Sequence, residues 1–170
     1  RLARAEPLSC GMCRDDPAPR FMVDHMLIKL GKYLRILGYD AQWIPGLRTH
    51  ELILAANREG RWFLTCNTNI SEQYPTPVHG ITLPVGDPVR QLHRVIRFLG
   101  LDPHARLFSR CIRCNVPLQP AGETDIARAN VHPNVRARYD TFTTCPSCGT
   151  VFWKGSHVRN TCRKLGVEGG

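Results

Sequence analysis

The sequence predicts an α/β protein in two parts, a parallel sheet flanked by helices and then a small cysteine-rich ribbon. Three observations lead there. From residue 21 to residue 100, short apolar segments alternate with stretches of helical periodicity, the order that parallel strands and crossover helices produce. Two C-x2-C pairs, Cys111 with Cys114 and Cys145 with Cys148, stand thirty residues apart. A chain of 170 residues has room for one medium domain and a small appendage. The expected boundaries are a linker or strap over 1–20, the α/β domain over 21–107, the ribbon over 108–160 and a tail over 161–170.

Residues 1–20 are rich in Pro, Arg and acids without periodicity, hence the strap. FMVD, residues 21–24, is an apolar run ending in an acid. A helix follows, with Leu27, Leu30, Leu34 and Leu37 on one face and Lys29, Lys32 and Arg35 on the other; Gly38 closes it. AQWIP is the second strand candidate, and Thr49 is the expected cap of a helix that runs through Arg58 and stops at Gly60. RWFLT, 61–65, and ITLPV, 81–85, are the third and fourth strands, joined by a loop-like NTNISEQYPTP. A third helix spans Pro88 to Leu99, turning Arg90, Arg94 and Arg97 outward.

The paired C-x2-C spacing is what a four-thiolate Zn²⁺ site requires, because each turn aims two sulfurs at one ion. Gly149 follows the second turn where a left-handed residue often stands. Two disulfides or separate buried thiols are the alternatives. Residues 111–157 have few apolar side chains, so a structural zinc would supply much of their folding energy. Cys10 and Cys13 make a third pair with no fourth partner, and Cys66 and Cys162 stand alone.

The formal charge of +9 makes a polyanion the first partner to consider. No apolar run approaches the roughly 20 residues of a membrane helix. The start at Arg1 without an apolar leader reads as a piece of a longer polypeptide, so other domains of the same chain are expected partners. Thiols in metal spacing suit a reducing compartment, cytoplasm or nucleus.

Four segments together resemble a known family: FMVDHMLIKLGKYLRILGYD, EL-x-LA-x2-REGR-x2-LT, FSRC-x2-CN and YDTF-x2-CPSCG-x-V-x-WKGSH. They are similar to the Mut-seven C-terminal domain, a PIN-like RNase-type fold followed by a zinc ribbon, which occurs alone in microbes and at the end of some animal 3′-5′ exoribonucleases. The resemblance covers most of residues 21–157. It implies a metal-dependent nuclease centre at the carboxyl ends of the strands, where such sheets place their ligands.

At one position the chain departs from that pattern. Where the resemblance implies LTRDRD or similar, this sequence has Leu64, Thr65, Cys66, Asn67, Thr68 and Asn69. Holding Mg²⁺ or Mn²⁺ for phosphodiester cleavage takes several carboxylates, and amides lack the charge. Asp24 remains, with Asp40 and Glu51 as expected helpers; helix capping by Asp24 and a turn role for Asp40 are the plainer alternatives.

Single-stranded RNA is the expected ligand, met by Lys29, Lys32 and Arg35 on the first helix and by Arg110, Arg113, Lys154 and Arg159 near the ribbon, with Trp153 and His157 offering rings to unpaired bases. Solvated arginines and a packed tryptophan are the simpler alternatives for these residues. Three functions follow as expectations: an RNA-binding accessory domain of a 3′-5′ exoribonuclease with a degenerate nuclease centre, an active metal-dependent ribonuclease, or a protein-docking module.

Overall fold

The structure, a computed structural model, describes residues 18–167. Most of the expected strap, including Cys10 and Cys13, lies outside them. The four expected strands form one parallel sheet: β1 (Phe21–Val23), β2 (Ala41–Gln42), β3 (Trp62–Thr65) and β4 (Gly80–Thr82), ordered β2-β1-β3-β4. Helices α1 (Ile28–Ile36), α2 (Thr49–Glu59) and α4 (Pro88–Leu99) cover it, and a one-turn α3 (Ile70–Gln73) interrupts the segment expected as loop.

Alternation along β1 divides the core between the two faces. Phe21 and Val23 join Leu30 and Leu34 of α1 and Leu92 and Val95 of α4 on one side. Met22 meets Leu52, Ile53 and Ala56 of α2 and Phe63 of β3 on the other. Every β1 residue is therefore buried, as both-faced packing demands.

Two boundaries differ from expectation. Arg48, not Thr49, is the N-cap of α2, because Glu51 at the third helical position takes the Arg48 backbone N–H at 2.7 Å. The expected tail from residue 161 is instead the second half of α7 (Ser156–Leu165). Leu165 and Val167 are buried in the main core, and the carbonyl of Leu165 lies 2.6 Å from His93 Nε2 on α4. The chain thus returns to the α/β body after the ribbon.

The ribbon is a three-stranded antiparallel sheet, β5 (Gln119–Pro120), β6 (Phe142–Thr144) and β7 (Val151–Trp153), with short helices α5 (Glu123–Arg128) and α6 (Pro133–Arg138) between β5 and β6. Its own buried apolar cluster is Ile126, Phe142 and Val151. Three side chains are too few to hold such a unit, and a staple of metal or disulfide is the usual remedy. No helix among the described residues is long and apolar enough to cross a membrane.

Candidate functional site

The four cysteines converge. The backbone N–H of Cys114 points at Cys111 Sγ, and that of Cys148 at Cys145 Sγ, which is how each turn folds both sulfurs to one side. Gly149 at φ +68 lets the second turn close. All four sulfurs lie within 4.8 Å of one another, and Cys111 and Cys148 are 3.9 Å apart. Four thiolates at about 2.3 Å from one zinc stand roughly 3.8 Å apart, so the donor set fits that ion. Burial pushes the Cys111 thiol up to about 12 without a cation, whereas hydrogen bonds from Thr150 bring Cys148 down to about 6. A cation at their centre supplies the charge that lets the buried sulfur ionise.

The first cysteine turn is clamped to the α/β body by Arg35, which corrects the expectation that this residue faces solvent. Its guanidinium is buried, with Nε donating to the Ala41 carbonyl at 2.7 Å and Nη1 to those of Ile112 and Arg113 at 2.8 and 2.9 Å. It also lies 3.6 Å from the centre of the Trp43 ring. Helical phase misled here: Arg35 does lie off the leucine stripe, but the ribbon covers that side of α1. Desolvation lowers its pKa to about 10. Arg110 is likewise structural, bonding the carbonyls of Asn115 and Gly38.

Asp40, expected as a helper of Asp24, is a member of the same clamp. It accepts from Arg61 Nη1 at 2.8 Å and from Asn115 Nδ2 at 2.6 Å, while Asn115 Oδ1 takes the Ala41 N–H at 3.2 Å. Burial raises its pKa, but the bonds from Arg61 and Asn115 outweigh that and hold the carboxyl below its usual range. Asp40 precedes β2 and its carbonyl receives the N–H of Phe21 at the start of β1, so it sits at the amino end of the sheet. Asp24, just after β1, sits at the opposite end.

At the carboxyl end Asp24 is 8% exposed and both its oxygens are engaged. Oδ1 accepts the His25 N–H at 2.7 Å and caps the 3-10 turn His25–Leu27; Oδ2 accepts from Thr65 Oγ1 at 2.9 Å. Thr65 Oγ1 in turn receives the Asn67 N–H at 3.0 Å, and Asn67 Oδ1 the Asn69 N–H at 2.9 Å. The two amides that replace expected acids therefore shape their own loop. Cys66 lies beside this group, its thiol pushed up by burial and by the charge of Asp24. Glu51 is at the N-terminus of α2 with its carboxylate in the helix cap. Among the described residues the four cysteines are the one group of three or more His, Cys, Asp or Glu arranged to hold a metal, and Asp24, Asp40 and Glu51 do not assemble.

The model of the family described as Mut7-C RNAse domain matches residues 19–165. The chain belongs to that family. No curated protein and no solved structure matches it.

In this Mut7-C domain the remaining expected RNA contacts are spread over the surface. Lys29, Lys32, Arg113, Lys154, His157 and Arg159 are exposed. Trp153 is half-buried, its ring 6.3 Å from that of Phe142 and 5.8 Å edge-on from that of His157, and it packs against the ribbon core. Asn115, which ties the first cysteine turn to β2 and Asp40, was missed as a site residue. Its signal was the CN that ends FSRC-x2-CN, a non-glycine residue at φ +61 where Asn is the tolerated side chain.

Proposed function

We propose that this Mut7-C domain is an RNA-binding accessory module, braced by a structural Zn²⁺ on Cys111, Cys114, Cys145 and Cys148, that holds single-stranded RNA for a 3′-5′ exonuclease domain elsewhere in the same polypeptide. The observation that carries this reading is the carboxyl end of the sheet. There Asp24 has both its oxygens taken by internal hydrogen bonds and stands beside two amides where the resemblance implies acids. A hard divalent ion is held by charge as well as by oxygen, and Asn67 and Asn69 bring none beside Asp24. The excess of +9 supplies affinity for a phosphate backbone that weakens as salt rises.

Fluorescence anisotropy with labelled single-stranded RNA and zinc-loaded protein tests it. Binding without added Mg²⁺ or Mn²⁺ that falls steeply between low and moderate salt is expected; no binding, or binding indifferent to salt, removes the reading. A second reading, an active metal-dependent ribonuclease, draws on the family description and on the position of Asp24 beyond β1. Its signature is Mn²⁺-dependent cleavage that disappears in Asp24→Ala.

A further inference from the structure

Where α1, the first cysteine turn and α7 meet, the surface forms an open groove of about 580 Å³. Lys29 and Lys32 of α1 and Lys164 of α7 line it, and no Asp or Glu does. Among the described residues none of these three lysines makes an ion pair. Between them the surface is apolar: Tyr33 and Ile36 are almost fully buried there, and Ile28 and Ile112 are half-buried. Met26, 70% exposed, stands at the end where His25 follows Asp24.

Three like charges around one apolar strip repel one another unless an anion lies among them. Elsewhere the basic residues of the α/β body sit differently: Arg90, Arg94 and Arg97 of α4 project from the exposed side of a helix whose other face is core. The groove combines three ammonium groups that make no ion pair among the described residues with apolar surface, the combination that grips a single strand by phosphate and by base or ribose together. It also draws on three parts of the chain, so it exists only while the ribbon is docked. Ile112 is placed by the bond from Arg35 Nη1 to its own carbonyl.

We propose that this groove is the RNA path: a single strand enters beside Asp24 at the carboxyl end of the sheet, follows α1 with its phosphates on Lys29, Lys32 and Lys164, and leaves over Ile112 of the zinc-bound turn. The assignment rests on the RNA-binding reading above and says where that binding occurs. A double-stranded helix is too broad and too uniformly phosphate-faced to use the apolar strip, so single strands are favoured.

The test compares two triple variants of the zinc-loaded chain, Lys29→Gln/Lys32→Gln/Lys164→Gln and Arg90→Gln/Arg94→Gln/Arg97→Gln, using a fluorescein-labelled twelve-nucleotide oligouridine. Loss of three phosphate contacts lowers the salt slope by roughly 2 and weakens binding about 100-fold at about 0.1 M salt. That loss is expected of the groove variant alone, with unchanged circular dichroism and zinc content. If the α4 variant loses binding and the groove variant does not, RNA binding stands and this path falls. If the wild-type chain binds no RNA, or binds a glutamate-rich peptide in preference, both fall. Photocrosslinking with 4-thiouridine gives a second reading: adducts within residues 25–36 or at Ile112 support the path, and adducts confined to α5 and α6 overturn it.

Discussion

Asp40 and Asp24 stand at the two ends of the four-stranded sheet, and their surroundings differ in charge. Asp40, at the amino end, is met by the Arg61 guanidinium and the Asn115 amide. Asp24, at the carboxyl end, is met by a backbone N–H and a threonine hydroxyl, with no cation bonded to it among the described residues. A carboxylate with its countercharge in place is a fastener. Asp24 has no such countercharge bonded to it, and Asn67 and Asn69 of the neighbouring loop are amides. Equal residue types at the two ends thus do different work, attachment of the ribbon for Asp40 and capping of the turn after β1 with a bond to Thr65 for Asp24.

The largest effect should come from breaking the amino-end attachment at its four cysteines. Removing zinc with a chelator, or substituting Cys145→Ser, forfeits a binding energy of about 10 kcal/mol or more. Hydrogen exchange should then show protection lost across residues 108–155 while Phe21–Val23 and Trp62–Thr65 stay protected. Simultaneous loss of both would mean that the two parts fold as one unit.

Next comes Arg35→Ala, which strands three carbonyls and empties the space above Trp43. It should cost about 3 kcal/mol in urea denaturation, and Arg35→Lys should recover little, since an ammonium cannot span both Ala41 and the Ile112–Arg113 turn. A cost under about 0.5 kcal/mol, the usual scatter for a surface change, would make the clamp ornamental.

Asp40→Asn should cost less, about 1 to 2 kcal/mol. Because the folded-state pKa of Asp40 is depressed, its contribution is present above the unfolded value near 4 and disappears as pH falls through the lower folded value. The wild-type and Asn variant stability curves should therefore converge in acid, below about pH 4. Asp24→Asn should be the mildest, within about 0.5 kcal/mol, because Asn caps helices nearly as well as Asp. A loss as large as that of Asp40→Asn would erase the distinction between the two ends.

Much of this was legible in the sequence. Four strand segments, the leucine face of α1, the span Pro88–Leu99 and the four-cysteine cluster follow from local periodicity and spacing, and the structure has them all. Arg35 and Asp40 were not legible, because what decides their roles is the first cysteine turn more than 70 residues away. Helical phase says which side of α1 is apolar, but not that a second unit packs on the other side. Lys164 and Ile112 were overlooked for the same reason: residue 164 was assigned to a tail, and the groove forms only once α7 has returned to the body.

The carboxyl end of the sheet is proposed to receive RNA without cutting it. The most direct test incubates end-labelled single-stranded RNA with zinc-loaded wild-type protein and with Asp24→Ala, each with Mn²⁺, and follows complex and RNA length on gels. Intact RNA in both samples, carried in complexes of equal stability, is the predicted result. Shortened RNA in the wild-type sample and full-length RNA with Asp24→Ala would contradict it.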